Sequence, residues 1–196
     1  KFGYATFVME IESGEKLNDI GFSFEHITFA YKAFLITNNK VELLSQVGIP
    51  SKTKEDEVPK FLKSISGKVN LGKKSILLIH VSNNHYREGY LVSPKIGVFN
   101  DVQDKFRKEV VYNFMLAGSG LIFSLYHFGL FFRRRKDKAS LYLSLFILIA
   151  VIRSIISPGL IGVVLDLSTF WSLFSIRIDY LTTSFAPFCY LLFLNS

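Results

Sequence analysis

The sequence predicts an all-β domain followed by a membrane region of three helices, and three observations lead to this prediction. Residues 1–100 contain short segments in which apolar and polar side chains alternate, which is typical of half-buried strands. Residues 110–196 contain long apolar segments with few charges. A strongly cationic run, Arg133 to Lys138, separates two of these segments. We therefore assign the β domain to 1–100, a connector to 101–109 and the membrane region to 110–196.

The first strand is predicted in FGYATFVMEIE, residues 2–12, where the alternation is clearest. Two further strands, HITFAYKAFLIT and KVELLSQVG, flank Asn38-Asn39, whose tolerance of positive φ suits a tight hairpin turn. The remaining strands are predicted in PKFLKSI and KSILLIHVSN. Short strands separated by Gly and Asn turns predict a β-sandwich or jelly roll.

Two loops of the β domain are rich in polar residues, as binding sites often are. GIPSKTKEDEVPK, residues 48–60, is interpreted as a solvated surface loop, because Glu55, Asp56 and Glu57 lack the alternate spacing of a calcium-binding loop. NNHYREG follows a strand and combines groups that hydrogen-bond to a sugar and stack on it, although Asn-rich segments after strands are also typical turns. The candidate ligand-binding residues are Asn83, Asn84, His85, Tyr86 and Arg87.

Three transmembrane helices are predicted at 110–132, 139–159 and 178–194. The first segment has no formal charge over a length that crosses a hydrocarbon core of about 30 Å. The third contains Pro187, which neighbouring helices can accommodate. These helices predict the lipid bilayer as a partner.

The basic run predicts the orientation, because Lys and Arg in short loops are retained in the cytoplasm. The residues concerned are Arg133, Arg134, Arg135, Lys136 and Lys138. The β domain is then extracellular, or periplasmic in a Gram-negative cell, and the protein is a multi-pass membrane protein. Contact of this loop with anionic lipid head groups is a further expectation.

Three polar residues lie within the predicted helices. Arg153 is expected either to reach the outer head groups or to pair with Asp179, at the outer start of the third helix. His127 is interpreted as an interfacial residue, with a proton-relay or metal role as the alternative. Gly118, Gly120 and Ser124 provide small residues for close helix packing.

Composition and motifs exclude several functions. The pI of about 9.4 does not come from a basic face, so no nucleic-acid partner is predicted. The single cysteine, Cys189, excludes a disulfide framework and a Cys-based metal site. No nucleophile elbow, phosphate-binding loop or metal-spaced pair is found. We predict no catalytic residue, no metal and no cofactor, and hence no enzyme activity for this chain.

The sequence resembles bacterial seven-transmembrane receptors with diverse intracellular signalling modules. The resemblance lies in LYHFGLFFRRRKDKASLYLSLFILIAVIRSI and FWSLFSIRIDYLTTSFAPFCYLLFL, and upstream in GYATFVMEI, AYKAFLITNNKVELLSQVG and VSNNHYREG. It implies a galactose-binding-like jelly roll outside the cell that binds a carbohydrate or another small ligand. It also implies helices that relay the signal to a cytoplasmic output domain in the same protein. This chain has three predicted helices where the family has seven, and its β domain is expected to lack its first strands.

Several alternatives to a receptor fragment remain open. One is a transporter or channel component, although repeated intramembrane charges and paired broken helices are missing. Another is the N-terminal part of a membrane-bound adenylate or guanylate cyclase or histidine kinase. A membrane-anchored carbohydrate-processing enzyme would need two carboxylates facing one cleft. A homodimer is also an expectation.

Overall fold

A computed structural model describes the chain over residues 3–24, 29–60, 62–85, 92–156, 162 and 169–196. Its contacts divide the chain into two compact units. Unit 1 comprises residues 1–107 and 162–173, and unit 2 comprises residues 108–161 and 174–196. All the described strands belong to unit 1.

The described strands form two antiparallel sheets. In chain order they are β1 (Gly3–Glu12), β2 (Leu17–Phe24), β3 (Ala30–Thr37), β4 (Lys40–Val47), β5 (Ser64–Ile65), β6 (Val69–Leu71), β7 (Lys74–Asn83) and β8 (Lys95–Val98). The first sheet has the order β1-β7-β3-β4. In the second sheet β2 is the central strand, and it pairs antiparallel with β5, β6 and β8. The prediction of an antiparallel β domain is thereby confirmed.

One hydrophobic core lies between the two sheets. Phe22 and Phe24 from β2 pack with Tyr31, Leu35 and Leu77 from the first sheet, and all five side chains are almost fully buried. Alternate residues of each strand point to the same face, so the residues between these core positions point away from the core. Burial raises the pKa of the Tyr31 hydroxyl, which hydrogen-bonds to two serine side chains.

The β3–β4 hairpin turns at the predicted dipeptide. Asn38 and Asn39 both adopt left-handed φ values, 49° and 62°, as a two-residue hairpin turn with the strand-compatible twist requires. Asparagine tolerates this conformation better than most residues. The turn prediction is therefore confirmed.

The predicted strand PKFLKSI is mostly wrong. Of the described residues in this segment, only Ser64–Ile65 is a strand. The hydroxyl groups of Ser64 and Tyr31 share a hydrogen bond. Lys63 is buried, and its ammonium group lies 5.9 Å from the centre of the Phe106 ring. Within unit 1, this segment is thus held by side-chain contacts and not by a long strand pairing.

Three long helices follow the strands: α1 (Phe99–Arg133), α2 (Lys138–Ile156) and α3 (Thr169–Leu194). The predicted connector at 101–109 is part of α1. Among the described residues, α1 and α2 are the helices long and apolar enough to cross a membrane. The third predicted span, 178–194, lies within α3, which includes Pro187 and is not one of these two helices. Residues 157–159 of the second predicted span lie outside the described residues.

Small residues bring α1 and α2 into close contact. Ala117 and Ser124 are buried, and the Ser124 hydroxyl donates a hydrogen bond of 2.9 Å to the Ser144 carbonyl. A Cβ added to Gly120 would lie 2.6 Å from Cγ2 of Val151. The same addition at Gly118 would meet nothing within 4 Å, so Gly118 is not part of this contact, contrary to the sequence prediction.

Candidate functional site

The predicted ligand loop begins at the end of β7, where it meets the loop between β4 and β5. The Asn84 backbone N–H donates a 2.8 Å hydrogen bond to Oε2 of Glu57. The Asn84 side-chain amide donates to the carbonyl oxygens of Ser51, at 3.2 Å, and Thr53, at 3.5 Å. Asn84 therefore joins two loops of unit 1 and uses its amide group within the protein.

The β4–β5 loop is closed by local backbone geometry. Gly48 has a φ of 67°, and a Cβ at this position would lie 2.1 Å from the Val58 carbonyl oxygen, so a larger residue does not fit without movement. Ile49 and Val58 exchange two backbone hydrogen bonds of 2.9 and 3.0 Å. This closure places Glu57 against the end of β7.

Glu57 corrects the interpretation of the whole loop as a solvated surface. Glu55 and Asp56 are exposed as expected, but Glu57 is only 4% exposed. Within the described part of the chain, its Oε1 has no hydrogen-bond partner, and neither has Nε2 of His85. Sequence reasoning missed the Glu57–Asn84 contact because the two residues are 27 positions apart and no local pattern connects them.

The other predicted ligand residues are only partly brought together. Asn83 ends β7 and is buried, and His85 follows Asn84 directly. Tyr86 and Arg87 lie outside the described residues. No group of three or more His, Cys, Asp or Glu side chains suited to a metal ion is present in the part of the chain that the structure describes.

A second group of polar and aromatic side chains lies on the outer face of the first sheet. We call it the outer-face cluster: Tyr4, Thr6, Lys32, Phe34 and His80. The strand register places Thr6 and Lys32 on either side of His80. The Tyr4 and His80 rings are nearly parallel, with centres 6.0 Å apart, and Phe34 meets His80 edge-on at 5.8 Å. Sequence analysis did not identify this cluster, because its members come from three strands.

His80 is held in a fixed orientation. Its Nδ1 lies 2.8 Å from the Thr6 hydroxyl oxygen, within hydrogen-bond distance. Such a bond fixes the ring and leaves Nε2 on the other side. His80 is therefore held within the sheet by its neighbours, and its Nε2 is a polar atom in a fixed position on the outer face.

The connection between α1 and α2, together with the helix residue on either side of it, carries the predicted cations, which are all exposed: Arg133, Arg134, Arg135, Lys136 and Lys138. Asp137 stands immediately before α2 and caps it. One carboxylate oxygen accepts a 3.3 Å hydrogen bond from the Ser140 backbone N–H, and the other accepts a 2.8 Å bond from the Ser140 hydroxyl. The pKa of Asp137 is lowered, first by these bonds and further by the nearby Arg134 charge. The one acid of the basic run thus has a structural role.

We expect acid to weaken this cap. Because the pKa of Asp137 is lower in the folded protein, the ionised carboxylate stabilises the fold above the unfolded pKa of about 3.9, and this contribution is lost as pH falls through the folded pKa. The measurement is the thermal unfolding midpoint of wild type and Asp137→Asn from pH 7 to pH 3. Asparagine also caps helices but does not titrate, so the wild type should lose more stability than the variant below about pH 4. Parallel pH profiles would contradict this role.

The predicted intramembrane polar residues occupy two places in unit 2. Arg153 and Asp179 lie together, with Nε of Arg153 3.8 Å from Oδ1 of Asp179. Arg153 also donates to the Thr183 hydroxyl, which in turn donates a 2.8 Å hydrogen bond to the Asp179 carbonyl. His127 contacts the rings of Phe123 and Tyr126.

Comparison with protein-family models, with curated proteins and with solved structures gives no match. The resemblance to seven-transmembrane receptors therefore stays a prediction from the sequence motifs.

Proposed function

We propose that the chain is the sensing part of a signalling receptor in a bacterial inner membrane. Unit 1 is proposed to be a jelly roll outside the cytoplasm that binds a carbohydrate or another small ligand. The helices are proposed to cross the membrane and to relay ligand binding to a cytoplasmic output domain of the same protein. Ligand binding would act by favouring one of two helix arrangements.

The observation that carries this proposal is the apolar surface of α1 and α2. Met115 and Ile122 of α1 are 70% and 72% exposed. In the most apolar stretch of α1 only 11% of the residues are buried, and in that of α2 only 17%. Soluble proteins rarely leave such continuous apolar surface in water. A bilayer covers it without further protein contacts. The β domain next to it in sequence belongs to a separate unit, to which the proposal assigns ligand binding.

The proposed orientation rests on the same helices. Five exposed cations lie at the connection between α1 and α2, and each cation costs about 2.5–3.5 kcal/mol at the centre of a membrane helix. Retaining this loop in the cytoplasm leaves the start of α1, and with it unit 1, on the opposite side.

Cysteine labelling in spheroplasts tests this arrangement. Cys189 is first replaced by serine, and Lys52→Cys in unit 1 or Lys136→Cys in the basic loop is then added; both lysines are exposed. We expect a membrane-impermeant maleimide to label the Lys52→Cys variant in intact spheroplasts, and the Lys136→Cys variant only after permeabilisation. The opposite pattern, or labelling of both variants without permeabilisation, would overturn the proposal.

A further inference from the structure

We propose that the outer-face cluster is the ligand-binding surface of unit 1 and that its ligand is an acidic glycan. This inference rests on the proposed function, because it names the surface and the ligand class of the same sensor. It differs from the sequence prediction, which placed the ligand at the end of β7. There, the Asn84 amide is already bonded to the neighbouring loop.

The cluster faces away from the core. On β3, Tyr31 and Ala33 are fully buried, so Lys32 and Phe34 point to the outer face. On β7, Ile79 and Val81 are buried, so His80 lies on that same face. Tyr4 is 39% exposed and Thr6 is exposed. A ligand can therefore approach the rings and the polar atoms without entering the core.

The chemistry of the cluster suits a sugar. An aromatic ring has a negative face that attracts the slightly positive C–H groups of a sugar ring. His80 Nε2 can accept or donate a hydrogen bond according to its tautomer, and a sugar hydroxyl can do the same. The contact between Thr6 and His80 holds this nitrogen in place, so its orientation need not be fixed at the moment of binding.

Charge selects the class of sugar. Lys32 stands opposite His80 in the strand register, and among the described residues no carboxylate pairs with it. The acids of β1 on this face, Glu10 and Glu12, lie farther along the strand, and Glu12 pairs with Lys74 at 2.9 Å. A carboxylate on the sugar would find a cation at the cluster, so a uronate is preferred to a neutral sugar.

The test uses the full chain in lipid nanodiscs and calorimetric titration with two probes, hexamers of galacturonic acid and of galactose. We expect the wild type to bind the acidic hexamer more tightly. His80→Ala and Tyr4→Leu should each weaken its binding by about 10-fold, the cost of one hydrogen bond or one ring contact. Lys32→Met should remove the preference for the acidic hexamer.

Two further variants separate recognition from folding. Thr6→Val keeps the shape of the side chain but loses the hydroxyl, so it should weaken binding while the thermal midpoint changes little. Val41→Ala truncates an exposed residue at the far end of β4 and should leave binding unchanged. If Tyr4→Leu lowers the thermal midpoint strongly, His80→Ala and Thr6→Val decide the test, and unchanged binding in both would overturn the inference.

The outcomes distinguish this inference from the proposed function. Unchanged binding in His80→Ala and Tyr4→Leu, with loss in Asn84→Ala, would overturn the inference and leave the sensor in place. Binding of neither hexamer by the wild type would also overturn it, while the topology is tested separately by cysteine labelling. A change of oligomeric state in the cluster variants, without sugar binding, would assign the face to a second copy of the chain.

Discussion

Gly120→Leu is expected to force α1 and α2 apart and to destabilise unit 2 by about 1–3 kcal/mol. The reason is steric, because a Cβ alone would lie 2.6 Å from Cγ2 of Val151. Valine is branched at Cβ and has one strongly preferred rotamer in a helix, so it cannot turn away at little cost. The hydrogen bond from Ser124 to Ser144, one turn along the same contact, should be strained as the helices separate.

Gly118→Leu is the matched control. The residue is two positions away on α1, and a Cβ there meets nothing within 4 Å. Both variants gain about 1 kcal/mol of helix propensity, so their difference isolates the contact with α2. The measurement is equilibrium unfolding in mixed detergent micelles, followed by helicity. Equal stabilities of the two variants would show that Gly120 is not a close-contact position.

A second substitution tests the named contact. In the milder variant Gly120→Ala, removing the two Val151 methyl groups with Val151→Ala should restore part of the lost stability. In the wild-type background Val151→Ala should instead destabilise, because it leaves a cavity. This change of sign is expected only if these two side chains meet.

The sequence predicts three long strands well, because β1, β4 and β7 lie within a residue or two of the predicted segments. Along β1 the apolar and polar residues alternate, which is typical of a strand. β2 was missed for a physical reason. Ile20, Phe22 and Phe24 alternate with Gly21 and Ser23, but this alternation is short, and Asp19 just before it adopts a φ of 54° that interrupts the strand pattern. The residues from Ile20 to Phe24 are all buried.

Gly21 shows why β2 is buried on both faces. A Cβ at this position would lie 3.1 Å from the Cα of Phe99, at the start of α1. The strand therefore packs against the first helical turn as well as against the core. No pattern within residues 17–24 contains this contact, since Phe99 is remote in sequence.

The helices begin earlier than the predicted spans because a charged residue is costly in a bilayer but not in a helix. The bilayer penalises charge, so spans were predicted to begin at Val110 and Ile178. A helix tolerates charged residues, so α1 begins at Phe99 and α3 at Thr169. Charge therefore predicts the membrane-buried part of a helix, and caps such as Asp137 determine where helices begin.

Arg153 and Asp179 are expected to depend on each other for stability. Their side chains lie 3.8 Å apart, and Thr183 joins them through hydrogen bonds to the Arg153 side chain and the Asp179 backbone. In a membrane, the exposed parts of these side chains face lipid or neighbouring helices, where an unpaired charge is costly. Removing either partner leaves the other without its counter-charge.

We expect Arg153→Ala and Asp179→Ala each to destabilise unit 2, and the double variant to lose less than the sum of the two. The coupling energy should be about 0.5–3 kcal/mol, the range for residues in direct contact. The free energies of unfolding of the four proteins in mixed micelles give this value directly. Arg153→Lys should recover only part of the loss, because lysine keeps the charge but lacks the planar group that reaches Asp179 and Thr183 together.

Arg177→Ala is the control for the single and double variants of Arg153 and Asp179. Arg177 is an exposed cation two residues before Asp179 on α3, so its removal changes the charge of the same helix. Side chains two positions apart on a helix do not face each other, so Arg177→Ala and Asp179→Ala should be additive. Additive losses for Arg153 and Asp179 as well would mean that the pair does not stabilise the helices. Arg153 would then act alone, with its guanidinium group reaching the lipid head groups.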